Sequence, residues 1–146
     1  MTAIILCMAV GIFFEARGEG VEGQIAVGHV ILNRVKDSRY PNNVCDVVYQ
    51  ARKKDGKIIK HKCQFSFYCD GHPERVSDHT AFFWAKTIAS FVISGLPDPT
   101  NGATHYHTTR VNPDWKINKV HTRTIGNHIF YRWLKKPPAQ KAGGFS

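Results

Sequence analysis

Residues 3–20 read AIILCMAVGIFFEARGEG, a near-continuous apolar run over residues 3–14 that ends in charged residues and glycines. Within the run, apolar side chains recur at the three- and four-residue spacing of one helix face: Ile4, Ile5, Met8, Ala9, Ile12 and Phe13. This spacing predicts a buried first helix. The segment Arg17-Gly18-Glu19-Gly20 predicts a break directly after it.

The apolar run is too short to cross a membrane as a helix, because a span needs about 20 apolar residues. A secretory signal would also carry basic residues before the apolar run and a small-residue cleavage site after it. Here no basic residue precedes the run, and Glu15, Arg17 and Glu19 follow it. We therefore expect neither a membrane span nor a signal peptide.

Glu15 stands where the apolar run meets the polar break. A carboxyl group at the edge of a core is partly desolvated, which disfavours its anion and raises its pKa. Glycoside cleavage needs such a protonated carboxylic acid as its general acid. The alternative is that Glu15 only ends the helix and pairs in solvent with Arg17 or a lysine.

Two further glutamates follow among glycines. Glu19 is a candidate second carboxylate near Glu15, but the break between them leaves their separation open. Glu22 lies at the start of the next helix, where a negative side chain is favoured by the helix dipole. We expect Glu22 to stabilise that helix end.

The composition sets the class of protein. The chain has 146 residues, 42% of them hydrophobic, and a formal net charge of +9. That length suits one domain with its own core, and the hydrophobic fraction excludes a disordered or fibrous chain. The positive charge admits nucleic acid, an anionic polymer or an anionic cell envelope as partner.

The rest of the chain predicts an α+β fold that is mainly helical. A second helix is expected over residues 25–35 and a third over residues 80–94, capped by Ser77 or Asp78 and stopped at Gly95. Residues 44–49 form a short apolar run that fits either a strand or a helical turn. The last part, residues 103–133, is expected to hold loops and short strands.

Two segments are rich in basic residues. Residues 52–62 place Asp55-Gly56 between lysines and arginine, which predicts a β-hairpin. Its charge suits either a solvated loop or attraction to anionic envelope polymers. Residues 135–146, KKPPAQKAGGFS, predict a flexible basic tail after a single domain over residues 1–134.

Eight short motifs occur in an order that resembles the SleB/CwlJ-type cell wall hydrolases, a family that includes spore-cortex-lytic enzymes and phage endolysins. They are FEARGEG (14–20), GQIAV (23–27), ILNRV (31–35), CDVVYQ (45–50), QFS (64–66), DPTNGA (98–103), HYH (105–107) and IGNHIFY (125–131). Each motif alone is a weak signal. The ordered set is a strong signal, and the resemblance extends over about residues 4–133, nearly the whole chain.

The resemblance implies a lysozyme-like catalytic domain that acts on bacterial peptidoglycan. Members are regarded as lytic transglycosylases that cut between N-acetylmuramic acid and N-acetylglucosamine, and the family's catalytic acid maps onto Glu15. Glu15 would protonate the glycosidic oxygen and then take a proton from the same sugar's 6-hydroxyl, which closes an anhydro ring. Muramidase-type hydrolysis by water, with Glu19 or another acid as base, stays open.

Further side chains are candidates for substrate binding. Gln64, Phe65 and Ser66 resemble the segment that lines the cleft opposite the acid, although Phe65 also suits a core position. In His105-Tyr106-His107, alternation along a strand puts two side chains on one face. We select Tyr106 and His107, with Glu19, as substrate-binding residues. Tyr106 or a histidine would orient Glu15 or the substrate.

Cysteine and histidine residues allow several arrangements. The side chains of His61, Cys63, Cys69 and His72 are of zinc-binding types, but their spacing matches no standard zinc finger. We therefore predict no metal and no cofactor, and we keep these four as the zinc candidates. A disulfide from Cys45 to Cys63 or Cys69 is an alternative, as are free, buried cysteines at these positions, and Cys7 is expected to be a buried thiol.

Two other functions compete with the glycosidase. A metal-dependent nuclease would use the positive charge and the histidines, but the sequence has no acidic metal set. A wall-binding module without activity would stack sugars on Tyr106, Trp115 and Trp133, which leaves Glu15 unexplained. We expect a monomer without a nucleic-acid partner. As a phage endolysin, it would be made in the host cytoplasm and act on the cell wall.

Overall fold

The computed structural model describes residues 2–16, 18–54, 57–63 and 78–138, with side chains described outside the segment 51–63. The helices are α1 (Ala3–Ala16), α2 (Val21–Lys36), α3 (Val44–Val48) and α4 (His79–Ser94). The strands are β1 (Ala51–Lys54), β2 (Lys57–Cys63), β3 (His105–Thr108), β4 (Lys119–Ile125) and β5 (His128–Trp133), with a 3₁₀ helix at Asp114–Asn118 before β4. The predicted fold class, α+β and mainly helical, is confirmed.

Helix α1 forms the centre of the main core and packs against the other three helices. Most of its predicted apolar face is buried, with Met8, Ile12 and Phe13 at most 1% exposed, while Ile4 and Ile5 at its start are only partly buried. A Cβ at Gly11 would lie 3.1 Å from Ile31 Cδ1 and 3.5 Å from Val48 Cγ2, so glycine allows α2 and α3 to approach closely. Each fully buried large side chain contributes about 1.5–3 kcal/mol.

The helix ends follow from local hydrogen bonds. Asp78 caps α4 by accepting a 2.9 Å hydrogen bond from Ala81 N, which decides between the two predicted caps. Gly95, with φ of +120°, ends the same helix. The apolar run at residues 44–49 is a short helix, because Asn43 accepts a hydrogen bond from Asp46 N and caps it.

Strands β3, β5 and β4 form an antiparallel sheet in that order, in which Tyr106 pairs with Phe130. Phe130 and Ile125 join Ala26 and Val30 of α2 in a second buried cluster, which fixes the sheet to the helices. Tyr106 packs against both clusters. Because side chains alternate along a strand, His105 and His107 lie on the other face of the sheet.

The basic hairpin is confirmed, since β1 and β2 are antiparallel and Lys54 pairs with Lys57. The start of the predicted tail is bonded to the loop after α2. Arg39 Nη2 donates to the carbonyl oxygens of Lys135 and Lys136, both at 2.9 Å, and Ser38 Oγ donates to Pro138 O at 3.1 Å. Residues 139–146 lie outside the described residues, and the domain boundary at residue 134 stays a prediction.

The cysteine prediction is corrected by a disulfide between Cys7 and Cys45, whose Cα atoms are 5.1 Å apart. Cys7 precedes Gly11 by one helical turn and shares the side of α1 that approaches α3. Cys45 lies on α3, so packing of the two helices joins cysteines that are 38 positions apart. An apolar run does not reveal which partner its cysteine faces, and the expected buried thiol at Cys7 was therefore wrong.

None of the helices in the described part of the chain combines the length and the hydropathy that a membrane crossing requires.

Candidate active site

Glu15 and Tyr106 form the centre of the site. Glu15 lies in the last turn of α1 and is half-buried, and Tyr106 lies on β3. Tyr106 Oη donates a 2.6 Å hydrogen bond to Glu15 Oε1. The sequence predicts that Tyr106 or a histidine orients Glu15. Tyr106 is the residue that makes this contact.

The surroundings of Glu15 set its protonation. Burial raises the pKa of the Glu15 carboxyl above its usual range, and this is the largest effect. The hydrogen bond from Tyr106 and the positive charge of Arg34 lower that pKa in part. Burial and the neighbouring Glu15 raise the pKa of Tyr106 well above its ordinary value, so the phenol keeps its proton and remains a donor.

Arg34 is a site residue that the sequence prediction missed. Its side chain is 4% exposed, and its Nε donates a 2.7 Å hydrogen bond to Thr104 O, next to β3. The guanidinium carbon lies 5.2 Å from the centroid of the Tyr40 ring. The signal in the sequence is an arginine inside the apolar pattern of α2, where a charged residue needs a specific partner.

Glu19 is bound to the turn between β4 and β5. Its Oε1 accepts a 2.9 Å hydrogen bond from Asn127 N and its Oε2 a 3.2 Å bond from Asn127 Nδ2, while His128 Nδ1 is 3.8 Å from Oε1. A Cβ at Gly126 would lie 2.6 Å from Glu19 Oε1, and one at Gly23 would lie 2.9 Å from Glu19 Cβ. The two glycines thus leave room for a carboxylate that connects the α1–α2 break to the sheet. A substrate-binding role for Glu19 stays a prediction.

His107 faces away from Glu15, on the outer side of the sheet. Its Nδ1 donates to Thr108 O at 2.7 Å, because a carbonyl oxygen can only accept, and its Nε2 lies 2.9 Å from Tyr131 Oη. The ring stacks on Tyr131 with centroids 5.3 Å apart. The structure does not bring His107 to Glu15, and its proposed contact with substrate stays a prediction.

Several candidates fall on parts of the chain without described side chains. Gln64, Phe65 and Ser66 lie outside the described residues, as do Cys69 and His72. The side chains of His61 and Cys63 lie in the segment 51–63, which is described only as backbone. In the rest of the described chain, no three His, Cys, Asp or Glu side chains are grouped to hold a metal ion.

A glutamate at the end of a buried helix, hydrogen-bonded from an adjoining small sheet, places the chain among lysozyme-like catalytic domains. The family model described as Cell Wall Hydrolase matches residues 18–131, and the chain belongs to this family. Glu15 lies three positions before the matched range.

Named relatives agree with this assignment. The chain is 33% identical to the spore cortex-lytic enzyme of Halalkalibacterium halodurans and 34% identical to that of Bacillus cereus, each over 86% of this chain. It covers 34% and 43% of those relatives, so it spans well under half of their length.

Two solved structures cover nearly the whole domain. The catalytic domain of the germination-specific lytic transglycosylase SleB from Bacillus anthracis is 31% identical, with a TM-score of 0.69 and coverage of 90% of this chain and 96% of that one. The catalytic domain of Bacillus cereus SleB is also 31% identical, with a TM-score of 0.65 and 88% coverage of both chains.

Proposed function

We propose that the protein is a lytic transglycosylase that cleaves peptidoglycan between N-acetylmuramic acid and N-acetylglucosamine, with Glu15 as its single acid and base. The observation that carries the proposal is the half-buried Glu15 carboxyl, whose pKa is raised by its burial, with Tyr106 bonded to its Oε1. The bond from Tyr106 engages Oε1 and favours the acid proton on Oε2, from which it can be given to a substrate oxygen.

The first step is proton transfer from Glu15 to the glycosidic oxygen. The bond from the muramoyl C1 to that oxygen breaks, the N-acetylglucosamine end leaves as an alcohol, and positive charge develops on the muramoyl ring. Glu15 becomes a carboxylate in this step. The hydrogen bond from Tyr106 and the charge of Arg34 both favour that anion.

The second step restores the acid. The Glu15 carboxylate takes the proton of the muramoyl 6-hydroxyl, and O6 bonds to C1 to give a 1,6-anhydro ring. No water and no second carboxylate are consumed. The opposed influences on the pKa of Glu15 suit this cycle, since burial favours the acid while Tyr106 and Arg34 favour the base.

The placement of Glu19 disfavours it as the base of a muramidase-type hydrolysis, because both of its carboxylate oxygens already accept a hydrogen bond from Asn127. A wall-binding module would need open aromatic faces. Trp133 instead has Lys119 Nζ 3.7 Å and the Arg39 guanidinium carbon 4.5 Å from its ring centroid. Membership of the cell wall hydrolase family favours a glycosidase over both this module and a nuclease.

The test is digestion of purified peptidoglycan followed by mass spectrometry of the fragments. The transglycosylase gives anhydro-muropeptides, which disappear in Glu15→Gln and persist in Glu22→Gln, an exposed glutamate at the start of α2. Fragments ending in reducing muramic acid would identify a muramidase instead. No cleavage together with EDTA-sensitive degradation of DNA would identify a nuclease.

The cellular setting is a separate proposal. We propose that the protein is a phage endolysin, made in the host cytoplasm, that reaches the wall when the membrane is opened. Host cells that express it should remain intact and then lyse within minutes when chloroform permeabilises the membrane. Cells that express Glu15→Gln should not lyse, and spontaneous lysis without permeabilisation would contradict this setting.

The basic hairpin at residues 52–62 is proposed to aid approach to anionic envelope polymers. Its lysines and arginine should make binding to intact walls weaken as salt rises. Replacing Lys53, Lys54 and Lys57 by glutamine should reduce that salt dependence and leave turnover on soluble fragments unchanged. An unchanged salt dependence would mean that the hairpin is a solvated loop.

A further inference from the structure

His128 lies on the inner face of the sheet, beside the tyrosine that is bonded to Glu15. Side chains alternate along β5, so His128 and Phe130 both face the helices, as does Tyr106, which pairs with Phe130. The centroid of the Tyr106 ring is 4.8 Å from that of His128 and 5.6 Å from that of Phe130. Two rings of β5 therefore pack against the Tyr106 ring.

His128 also approaches Glu19, in the break between α1 and α2. Its Nδ1 is 3.8 Å from Glu19 Oε1, and Asn127, the residue before it, donates to both carboxylate oxygens of Glu19. The backbone of Glu19 is in turn bonded to the end of α1, since Glu19 N donates to Ala16 O at 2.9 Å. His128 is thus linked to the residue that directly follows Glu15.

These interactions form a closed chain of contacts that begins and ends at the last turn of α1. Glu15 is joined to Tyr106 by the 2.6 Å hydrogen bond, and Tyr106 packs on His128. His128 is next to Glu19, whose backbone returns to Ala16. A closed chain restricts the Tyr106 ring relative to Glu15. This matters because a hydrogen bond weakens as its geometry is lost, and a misplaced group slows the reaction that it serves.

Packing alone does not explain a histidine at this position. The side chain is 5% exposed, and its Nδ1 has no hydrogen-bond partner among the residues that the structure describes. An aliphatic side chain would avoid the cost of that buried polar atom. Burial lowers the pKa of His128, Glu19 offsets this in part, and His107 adds a smaller lowering. At neutral pH the ring is therefore neutral, and it packs on Tyr106 with Nδ1 near the Glu19 carboxylate.

We propose that His128 is a positioning residue: next to Glu19, it holds the Tyr106 ring so that Oη stays on Glu15 Oε1. The proposal rests on the proposed function, in which this hydrogen bond stabilises the carboxylate formed in the first step. His128 acts through Tyr106. Glu19 contributes by holding the start of β5 against the break between α1 and α2.

The test is a double-mutant cycle between His128→Leu and Tyr106→Phe, with kcat, KM and the pH profile measured on peptidoglycan fragments. His128→Leu removes the planar ring and should lower kcat about tenfold by weakening the bond to Glu15, with KM unchanged. The alkaline limb should move to higher pH, as in Tyr106→Phe, because an effect that lowers the pKa of Glu15 is reduced. In the Tyr106→Phe protein, which lacks Oη, His128→Leu should have little further effect on kcat.

Two matched variants separate positioning from folding. His128→Phe keeps an aromatic ring and should restore most of the lost kcat, whereas His121→Leu, at an exposed histidine of β4, should leave kcat and the pH profile unchanged. His128→Met serves in the cycle if His128→Leu does not fold. Additive losses in the cycle, or an unchanged alkaline limb in a folded but less stable variant, would mean that His128 only supports the fold and would overturn the proposal.

A measurement without substrate separates this proposal from the proposed function. The Glu15 carboxyl is titrated by NMR in protein labelled with ¹³C in its glutamate side chains, with Glu15→Gln to assign the signal. Its pKa should rise in Tyr106→Phe and in His128→Leu. That rise in a protein that yields no anhydro-muropeptides would refute the proposed function and leave the positioning role standing. Cleavage by the parent with an unchanged pKa of Glu15 in His128→Leu would refute the positioning role alone.

Discussion

Tyr106 Oη lies 2.6 Å from Glu15 Oε1, which joins the last turn of α1 to strand β3 across 91 positions of sequence. The bond has two consequences for Glu15. It favours Oε2 as the oxygen that holds the proton, because a carbonyl oxygen is the better acceptor, and it stabilises the carboxylate that forms when the proton leaves. The positive charge of Arg34 also favours the carboxylate and lowers the pKa of Glu15, whereas burial raises that pKa.

Removing the phenol should slow the reaction and shift its pH profile. Tyr106→Phe loses a hydrogen bond to a developing anion, worth about 1.5–3 kcal/mol, so kcat should fall roughly 10- to 100-fold. The pKa of Glu15 should rise further, because an effect that lowers it is gone. Activity requires the acid form, so the alkaline limb of the pH–rate profile should move to higher pH.

The matched control is Tyr131→Phe, which removes a phenol from the outer face of the sheet, where it lies 2.9 Å from His107 Nε2. This variant should keep the pH profile of the parent. Equal shifts in both variants would show that the effect is not specific to the Glu15 bond.

Glu15 should make stability depend on pH. Its folded-state pKa is raised, so the stability that its protonated form contributes is present at acidic pH and is lost as pH rises through that raised value. Glu15→Gln keeps a neutral side chain at every pH. Its free energy of unfolding in urea should match the parent at pH 4 and exceed it at pH 8, and a constant difference would contradict the raised pKa.

The contact between Glu19 and Gly126 predicts coupled mutations. Gly126→Ala should destabilise the fold, because the new Cβ would lie 2.6 Å from Glu19 Oε1 and because φ at this residue is +56°. Glu19→Ala should cost about 1–3 kcal/mol through its lost hydrogen bonds. The double variant should lose less than the sum, as measured by urea unfolding, and strict additivity would mean that the two residues do not interact.

Glu19 should also prove dispensable for the chemistry. Glu19→Gln keeps an oxygen that can accept from Asn127 N, so the folded protein should retain measurable cleavage of peptidoglycan. Complete loss of activity with normal circular dichroism would assign Glu19 a direct role in catalysis or substrate binding.

The disulfide should be detectable and should stabilise the domain. Peptide mapping without reduction should join the fragments that contain Cys7 and Cys45, and Cys45→Ser should cost about 2–4 kcal/mol for a loop of this length. Cys63→Ser is the control and should leave that linkage intact. A fragment that joins Cys45 to Cys63 would contradict the pairing.

The features that were predictable from the sequence are those that depend on residues close together along the chain. The helices, the cap at Asp78, the stop at Gly95 and the pairing of β1 with β2 come from neighbouring residues and were predictable from them. The sequence did not decide between a strand and a helical turn for the α3 segment, because five residues are too few to show a period. In the structure the segment is a helix, capped by the hydrogen bond that Asn43 accepts from Asp46 N.

Contacts between segments that are distant in the sequence were harder to predict. The raised pKa of Glu15 follows from its place after an apolar run, and burial proves to be its main cause. The buried Arg34, the engagement of Glu19 by Asn127 and the Cys7–Cys45 pairing depend on how helices and sheet pack together. The His105-Tyr106-His107 motif shows the limit well: alternation placed the two histidines on one face but could not tell which face meets Glu15.

The most direct test of the central claim is the chemistry of the cleaved glycan end, measured by mass spectrometry for the parent protein and for Glu15→Gln. We predict 1,6-anhydro-muramoyl ends from the parent and none from the folded Glu15→Gln variant. Reducing muramoyl ends from the parent, or anhydro ends that persist in Glu15→Gln, would contradict Glu15 as the single acid and base of a transglycosylase.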